Sequence, residues 1–446
     1  MMLEEKIKEL LEQKDFASIR LLLEDENVVD IAELFEELSK EESVVFFRLL
    51  PKNIAADVFA YLSIEIEQML IMSLTETEIG YIVDELFTDD AVDLLEEMPA
   101  NIVKKILKNA NAETRKAINH LLKYPEDSAG SEMTVEFVDL RPDMTVREAI
   151  RRIRQIGIDK ETINTCYVVD EQRHLLGIVS SRQLLLHESG ILISEIMKDN
   201  PIKIGTLEDQ EQVALTFSKY DLTVVPVVDN EDRLVGIITV DDVVDIMQEE
   251  TTEDMEIMAA ISPSEKPYMK TSVLETFKNR IPWLLLLMIS ATFTGKIIQG
   301  FEESLATCAV LTAFIPMLMD SGGNSGSQAS VSVIRGISLG EIEFSDTPKI
   351  IWKELRVSVL VGIVLGVANF IKIMLVDRVS TEVALVVCIT LTLTVVIAKF
   401  VGCTLPILAK KVGFDPAIMA SPFITTIVDA LSLLLYFAIA TAILHI

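Results

Sequence analysis

The chain has 446 residues, half of them hydrophobic, a mean hydropathy of +0.39 and a formal charge of −30. That charge excludes a nucleic-acid binder, which needs a basic surface. Its four cysteines, none in a close-spaced pair, imply no disulfide framework and no cysteine metal motif.

High hydropathy and high charge are reconciled by dividing the chain at residue 270. Of the 39 basic and 69 acidic side chains, 12 and 12 lie in residues 271–446, leaving 27 and 57 upstream. An acidic soluble half is therefore fused to a neutral half that belongs in a lipid bilayer. The N-terminal segment MMLEEKIKELLEQ is a charged amphipathic helix rather than a signal peptide.

Residues 1–130 carry apolar side chains at spacings of three and four, as at Ile19, Leu22 and Leu23 and at Ile31, Leu34, Phe35 and Leu38, which predicts helices only. Ser39–Glu42 and Thr75–Glu78 have capping-box spacing. Two similar units, SKEESVVFFRLLPKNIAADVF and FTDDAVDLLEEMPANIVKKIL, suggest a short superhelical array of helical hairpins.

After the YPEDSAGSEM linker the pattern changes to short β-branched runs, Cys166 to Asp170 and Leu176 to Ser180, joined by the turn EQRHL. The construction returns about sixty residues on, as Val224 to Asp229, the turn NEDRL and Val235 to Thr239. Each strand pair is flanked by amphipathic helices. This doubling resembles a tandem pair of cystathionine-β-synthase (CBS) domains. The resemblance implies an adenine-nucleotide segment, kept in the second unit as Gly236, Thr239 and Asp242. The first unit reads Gly177, Ser180 and Gln183, without the ribose carboxylate. Two readings stand side by side: an adenine nucleotide such as ATP at the second unit, or a module that dimerises and transmits load without one.

Residues 243–280 read as a long acidic connecting helix, interrupted at the SPSEKP stretch. Five spans follow, at about 281–298, 305–319, 357–376, 383–408 and 417–444. Lys270, Lys278 and Arg280 precede the first. Arg335, Lys349, Lys353 and Arg356 lie between the second and third, and Lys410 and Lys411 between the fourth and fifth. The opposite loops are acid-biased. The positive-inside rule then puts the N-terminus in the cytoplasm and the C-terminus outside the plasma membrane.

Two stretches in the membrane half carry chemistry. The first, PMLMDSGGNSGSQ, sets glycines and amides where a spanning helix should end; residues 321–330 are too polar for lipid, and we expect irregular backbone lining a pore. A close helix contact through small residues is the alternative. The second is Asp429, deep in the last apolar run, where an ionisable group marks a functional site by default. Ser421, Thr425, Ser432 and Tyr436 share its helix face and suggest a hydrated path, with pairing to Lys372 or Lys399 as the alternative. One carboxylate among neutral oxygens suits Mg²⁺, which sheds its waters reluctantly. A two-fold dimer would bring two copies of Asp429 together and help five spans enclose a pore.

The order of parts, with PMLMDSGGNSGSQ and DPAIMASPFITTIVDA, closely resembles the MgtE family of Mg²⁺ channels over essentially the whole chain. The resemblance implies an acidic helical N domain (1–130), tandem CBS domains (131–250), a connecting or plug helix (251–280) and a five-span pore domain (281–446). It implies a homodimer with Asp429 binding the permeating ion and Gly323, Asn324 and Gly326 supporting the pore. It further implies cytosolic Mg²⁺ bound by Asp89, Asp93, Glu211, Asp221, Asp242, Asp245, Glu250, Glu253 and Asp254, holding the pore shut. Ser421 departs from the family, where an asparagine is familiar. Asp89 and Asp93, at i and i+4, crowd like charges that a divalent cation would relieve.

Three rivals remain. A transporter of Co²⁺ or Ca²⁺ is one, although no His or Cys accompanies Asp429. A membrane-anchored nucleotide sensor would need only one span. An intramembrane metalloprotease lacks its motif, because His120, His174, His187 and His445 form no His-Glu-x-x-His, and no enzyme is expected.

Overall fold

The computed structural model describes residues 2–445 except Glu24, Asp25, Glu97, Glu265 and Pro267, and omits the side chains of Met2, Leu3, Glu4, Lys52, Asn53, Ser304 and Ser421. Two units follow one another, residues 1–244 and 245–446.

The first unit begins with successive helices and, among the described residues, no strand up to Leu121. Both capping boxes form. Ser39 and Thr75 each accept from the amide three residues on, while Glu42 and Glu78 reach back to the cap amide, so two orphan donors are satisfied at each helix start. The apolar stripes meet in a core that includes Ile19, Leu23, Ile31, Phe35, Phe46 and Phe59.

The β-rich segment holds two small sheets. One orders β1 (Asp139–Leu140), β2 (Thr165–Val169), β3 (Leu175–Ser180) and β4 (Lys198–Asp199); the other orders β5 (Ile204–Gly205), β6 (Val224–Val228) and β7 (Leu234–Thr239). In each, a parallel first pair is followed by an antiparallel hairpin. The repeat extends to atoms. Asp170 and Asp229 each accept two turn amides, and Arg173 and Asp232 each adopt positive φ at the same place in the turn. The two turns then exchange backbone bonds, Leu175 N–H to Asp232 O (3.1 Å) and Leu234 N–H to Arg173 O (2.9 Å). Phe137, Tyr167, Val169, Leu234 and Ile237 close the core between the halves.

The connecting helix, Val240–Met258, runs on directly from β7. Five long helices follow: α1 (Val273–Gly300), α2 (Ile315–Ser338), α3 (Thr347–Lys372), α4 (Thr381–Val412) and α5 (Ser421–Leu444). Among the described residues, four stretches, containing α1, α3, α4 and α5, are long and apolar enough to cross a membrane.

The second span departs from expectation. Residues 305–319 do not form one helix. A short helix, Glu302–Thr307, and a 3-10 segment, Ala309–Phe314, lead into α2, which starts near where the span was expected to end. The Gly-Asn stretch is not irregular either; it is the helical middle of α2. Each glycine costs a helix about 1 kcal/mol, and tertiary packing overrides that cost. Gly322, Gly323, Gly326, Ala329 and Ser330 are buried where α2 lies against α4 and α5.

Candidate functional site

Gly323 faces Thr425 of α5, whose methyl would sit 2.8 Å from an added Cβ. Gly326 faces Ile424 and the carbonyl of Ala398. Gly402 of α4 approaches so closely that an added Cβ would strike the Gly326 carbonyl. The glycines therefore serve close helix packing, the alternative weighed against pore lining.

The amides do something else. Asp320, Asn324 and Gln328, at i, i+4 and i+8, are exposed along the other face of α2. Asp429 lies within electrostatic reach of Asp320, and its Oδ1 is buried without a hydrogen-bond partner. Neither lysine considered as its partner pairs with it: Lys399 faces Glu354 at 3.6 Å, and Lys372 faces Asp377 at 3.0 Å. A carboxylate oxygen with no protein donor, beside an acid exposed on the neighbouring helix, is left for something other than protein or lipid to solvate.

The hydroxylic stripe around Asp429 needs correction. Ser432 and Tyr436 are buried inside the helix packing. The Ser432 hydroxyl donates to the Val428 carbonyl and the Tyr436 hydroxyl to Leu311. Only Thr425, opposite Gly323, remains beside Asp429 from that stripe, and the side chain of Ser421 lies outside the described residues. Sequence reasoning passed over Asp320, although an acid four residues before Asn324 was a readable signal.

At the other end of α2 the connecting helix is seated. Its Ile257 and Met258 pack on Ile334, Ala417 and Ala420, and Asp254 accepts from the Ser338 hydroxyl at 3.0 Å. Burial pushes the Asp254 carboxyl up from its ordinary value. Asp245 is exposed on this helix, and Glu250 and Glu253 lie between it and Asp254.

In the first unit, acids gather around the helix Thr88–Glu96. Asp89 is only 8% exposed, and burial followed by repulsion from Asp90, Asp242 and Glu161 raises it well above its ordinary value. Burial first, and then Asp242, pushes Asp90 up to about 6 and Glu161 to about 7. Asp93 is exposed on the outer side of this helix, yet the atoms crowding its carboxyl, and then Glu132, push it up to about 8; it borders a cavity of about 180 Å³. Glu136 ties the segment before β1 to this helix by accepting from the Thr88 hydroxyl at 2.6 Å. Asp90, the chain neighbour of Asp89, was passed over, and Glu132, Glu136 and Glu161 were not foreseen because nothing local brings them to Asp89. Glu211 and Asp221 sit instead at the two ends of the helix Gln210–Tyr220, and Asp221 adopts a left-handed conformation there. Among the described residues, no three carboxylates or other ligand side chains converge tightly enough to hold a bare ion.

The raised acids set a pH dependence. Their unfolded values lie near 4, so between pH ~4 and ~8 the folded chain binds more protons than the unfolded one. Stability must then fall as pH rises through that window. The metal-free, full-length protein should show a lower Tm in its soluble half at pH 8 than at pH 5.5, and saturating Mg²⁺ should narrow the gap. A thermal melt in chelator whose Tm rises with pH over this range would contradict the cluster.

At the second CBS unit, Gly236 lies against Met133 and the Thr134 carbonyl, 2.8 Å from an added Cβ. Thr239 and Asp242 bond to each other at 2.8 Å across the start of the connecting helix. Two of the three residues expected to receive a nucleotide, Thr239 and Asp242, thus also join the CBS unit to that helix.

Residues 315–439 match the MgtE divalent cation transporter family, 26–127 the MgtE intracellular N domain, and 129–190 and 193–249 the CBS domain. Magnesium transporter MgtE of Thermus thermophilus is 35% identical over 98% of both chains. The chain belongs to the MgtE family. The Bacillus subtilis magnesium transporter MgtE is 33% identical over 96% of this chain and 97% of its own. The crystal structure of the cytosolic domain of the Mg²⁺ channel MgtE in complex with ATP is 38% identical, with a TM-score of 0.52. It covers 55% of this chain and 99% of that one. MgtE membership accounts for the order of N domain, CBS pair and apolar helices, and makes this a membrane protein.

Proposed function

We propose that this MgtE-family chain is a Mg²⁺ channel of the plasma membrane, acting as a homodimer and held shut by cytosolic Mg²⁺. The observation that carries this reading is the polar edge Asp320, Asn324 and Gln328 beside the unpartnered oxygen of Asp429. Such an edge cannot face hydrocarbon. A second copy related by a two-fold axis would enclose it and set two Asp429 carboxylates on one path. Mg²⁺, keeping most of its water, needs only one or two carboxylates and neutral oxygens, here Asp429, Thr425 and Asn324. Gly323 and Gly326 hold α2 against α5 so that the path keeps its width.

The gate is the connecting helix. Acids that are too loosely placed for a bare ion and that repel one another suit hydrated divalent cations. Mg²⁺ binding would favour the arrangement in which they sit close, and so bias the helix that starts at Asp242 and ends on α2. Transported ion closing its own path is feedback. An adenine nucleotide at Gly236, Thr239 and Asp242 would act on the same helix start. The basic flanks of the spans support a cytoplasmic N-terminus and an external C-terminus. We keep the boundaries 1–130, 131–250, 251–280 and 281–446 as domain assignments.

Flux in proteoliposomes tests the gate. Asp89→Asn combined with Asp93→Asn should raise the internal Mg²⁺ needed to halve flux by about tenfold, ~1.4 kcal/mol of coupling. An unchanged concentration would remove these acids from the sensor. Competition by Co²⁺ or Ca²⁺ equal to that by Mg²⁺ would replace the ion assignment.

A further inference from the structure

The connecting helix and the foot of α1 enclose a second polar cavity, of about 300 Å³, which the gating reading does not use. One wall is Thr252 and Glu256, at i and i+4 on the connecting helix. The other is Thr276, Asn279 and Arg280, at i, i+3 and i+4 on α1, with Tyr268 between. The walls are tied by a backbone bond from Ser262 N–H to the Asn279 carbonyl at 2.9 Å. Glu256 spends one carboxylate oxygen on the Ser264 amide at 2.9 Å. Lys266, also at the cavity, engages Glu275.

The depth of this cavity follows from helix length. α1 has 28 residues, about 42 Å at 1.5 Å per residue, whereas the hydrocarbon core is about 30 Å thick. Its charged first two turns, with Glu275, Lys278 and Arg280, therefore lie in the headgroup layer. A separate observation agrees. Met269, next to the lining residue Tyr268, and Val273, one turn before Thr276 on α1, are large, apolar and exposed, at 90% and 86%. Side chains of that kind at that depth enter the acyl boundary.

We propose that this cavity is a binding site for the headgroup of an aminophospholipid, one carrying a phosphodiester and a primary amine. The Arg280 guanidinium and the Thr276 and Asn279 side chains supply donors to the phosphodiester, a charge-assisted contact. The second oxygen of Glu256 accepts from the ammonium. A purely anionic headgroup would meet Glu256 with like charge, and a quaternary amine would offer it no N–H. The acyl chains leave past Met269 and Val273. A lipid held this way joins the end of the connecting helix to the foot of the first span.

The test uses full-length protein purified in detergent and offered equal amounts of phosphatidylethanolamine, phosphatidylglycerol and phosphatidylcholine, with bound lipid read by native mass spectrometry. Phosphatidylethanolamine should be retained several-fold over the other two. Glu256→Gln should abolish that preference while phosphatidylglycerol binding persists, and Arg280→Gln should reduce retention of all three. Should Arg280→Gln fail to fold, Asn279→Ala and Thr276→Val should each lower retention in its place. Equal retention of the three lipids by wild type overturns the proposal, as does wild-type selectivity in Glu256→Gln. Displacement of the lipid by millimolar inorganic phosphate alone would identify a free-phosphate site and overturn it as well.

Discussion

Replacing Asp429 by asparagine should lower Mg²⁺ flux through reconstituted protein by roughly 30- to 150-fold. The substitution keeps size but removes the single charge that faces the ion in the last helix and turns one acceptor oxygen into a donor. A charged partner is worth about 2–3 kcal/mol, hence that range. The oxygen concerned has no protein donor to lose, so the fold should survive, with an unchanged size-exclusion profile. Asp320→Asn should act in the same direction and more weakly, because Asp320 is exposed and acts on the site from the neighbouring helix. Mg²⁺ flux in Asp429→Asn equal to wild type would end the pore assignment.

The second large effect is structural. In Gly402→Ala the new methyl lands on the Gly326 carbonyl, backbone against backbone, and no side chain can swing aside. Relief requires α2 and α4 to part, which also pulls Gly323 from its place against Thr425 of α5. The cost should exceed about 3 kcal/mol, the upper end of ordinary overpacking. Purified Gly402→Ala should aggregate or melt well below wild type. Gly295→Ala and Gly300→Ala are the controls. Nothing stands within 4 Å of a Cβ at either, so each should be neutral or slightly stabilising, by up to ~1 kcal/mol for a helical glycine. Equal melting temperatures for all three variants would show that the α2–α4 contact is not tight.

The contrast among these glycines marks where sequence reading stops. Gly295 and Gly402 look alike in the chain, each set in an apolar helical stretch. What separates them is the distance to a helix dozens of residues away. The same holds for the lysines: Lys399 and Lys372 were reasonable partners for Asp429 by composition, yet each finds a different acid, Glu354 and Asp377. The stripe through Ser432 and Tyr436 was correctly placed on one helix face. Its direction was not, because periodicity says which residues share a face and never what that face meets.

Local chemistry, by contrast, was legible. A Ser or Thr with Glu three residues on caps a helix through its own backbone, so both capping boxes form as read. The doubled strand–turn–strand units are held by Asp170 and Asp229 bonding amides two and four residues on, contacts that need no distant partner. Long apolar runs declare membrane helices because the penalty for exposing them to water is additive along the run.

By itself, then, the sequence determined the family, the order of domains, the capped helices, the paired CBS units and the acid stranded in the last span. All of these follow from residues within about one turn or one hairpin of each other, or from composition summed over a segment. Only the tertiary structure decided that the Gly-Asn stretch is helical, that its glycines pack while Asp320, Asn324 and Gln328 face outward, and that Glu136 and Glu161 join Asp89, Asp90 and Asp93. Those outcomes depend on close approach between distant segments, where a few tenths of an ångström of packing outweigh helix propensity and a carboxylate's surroundings outweigh its type.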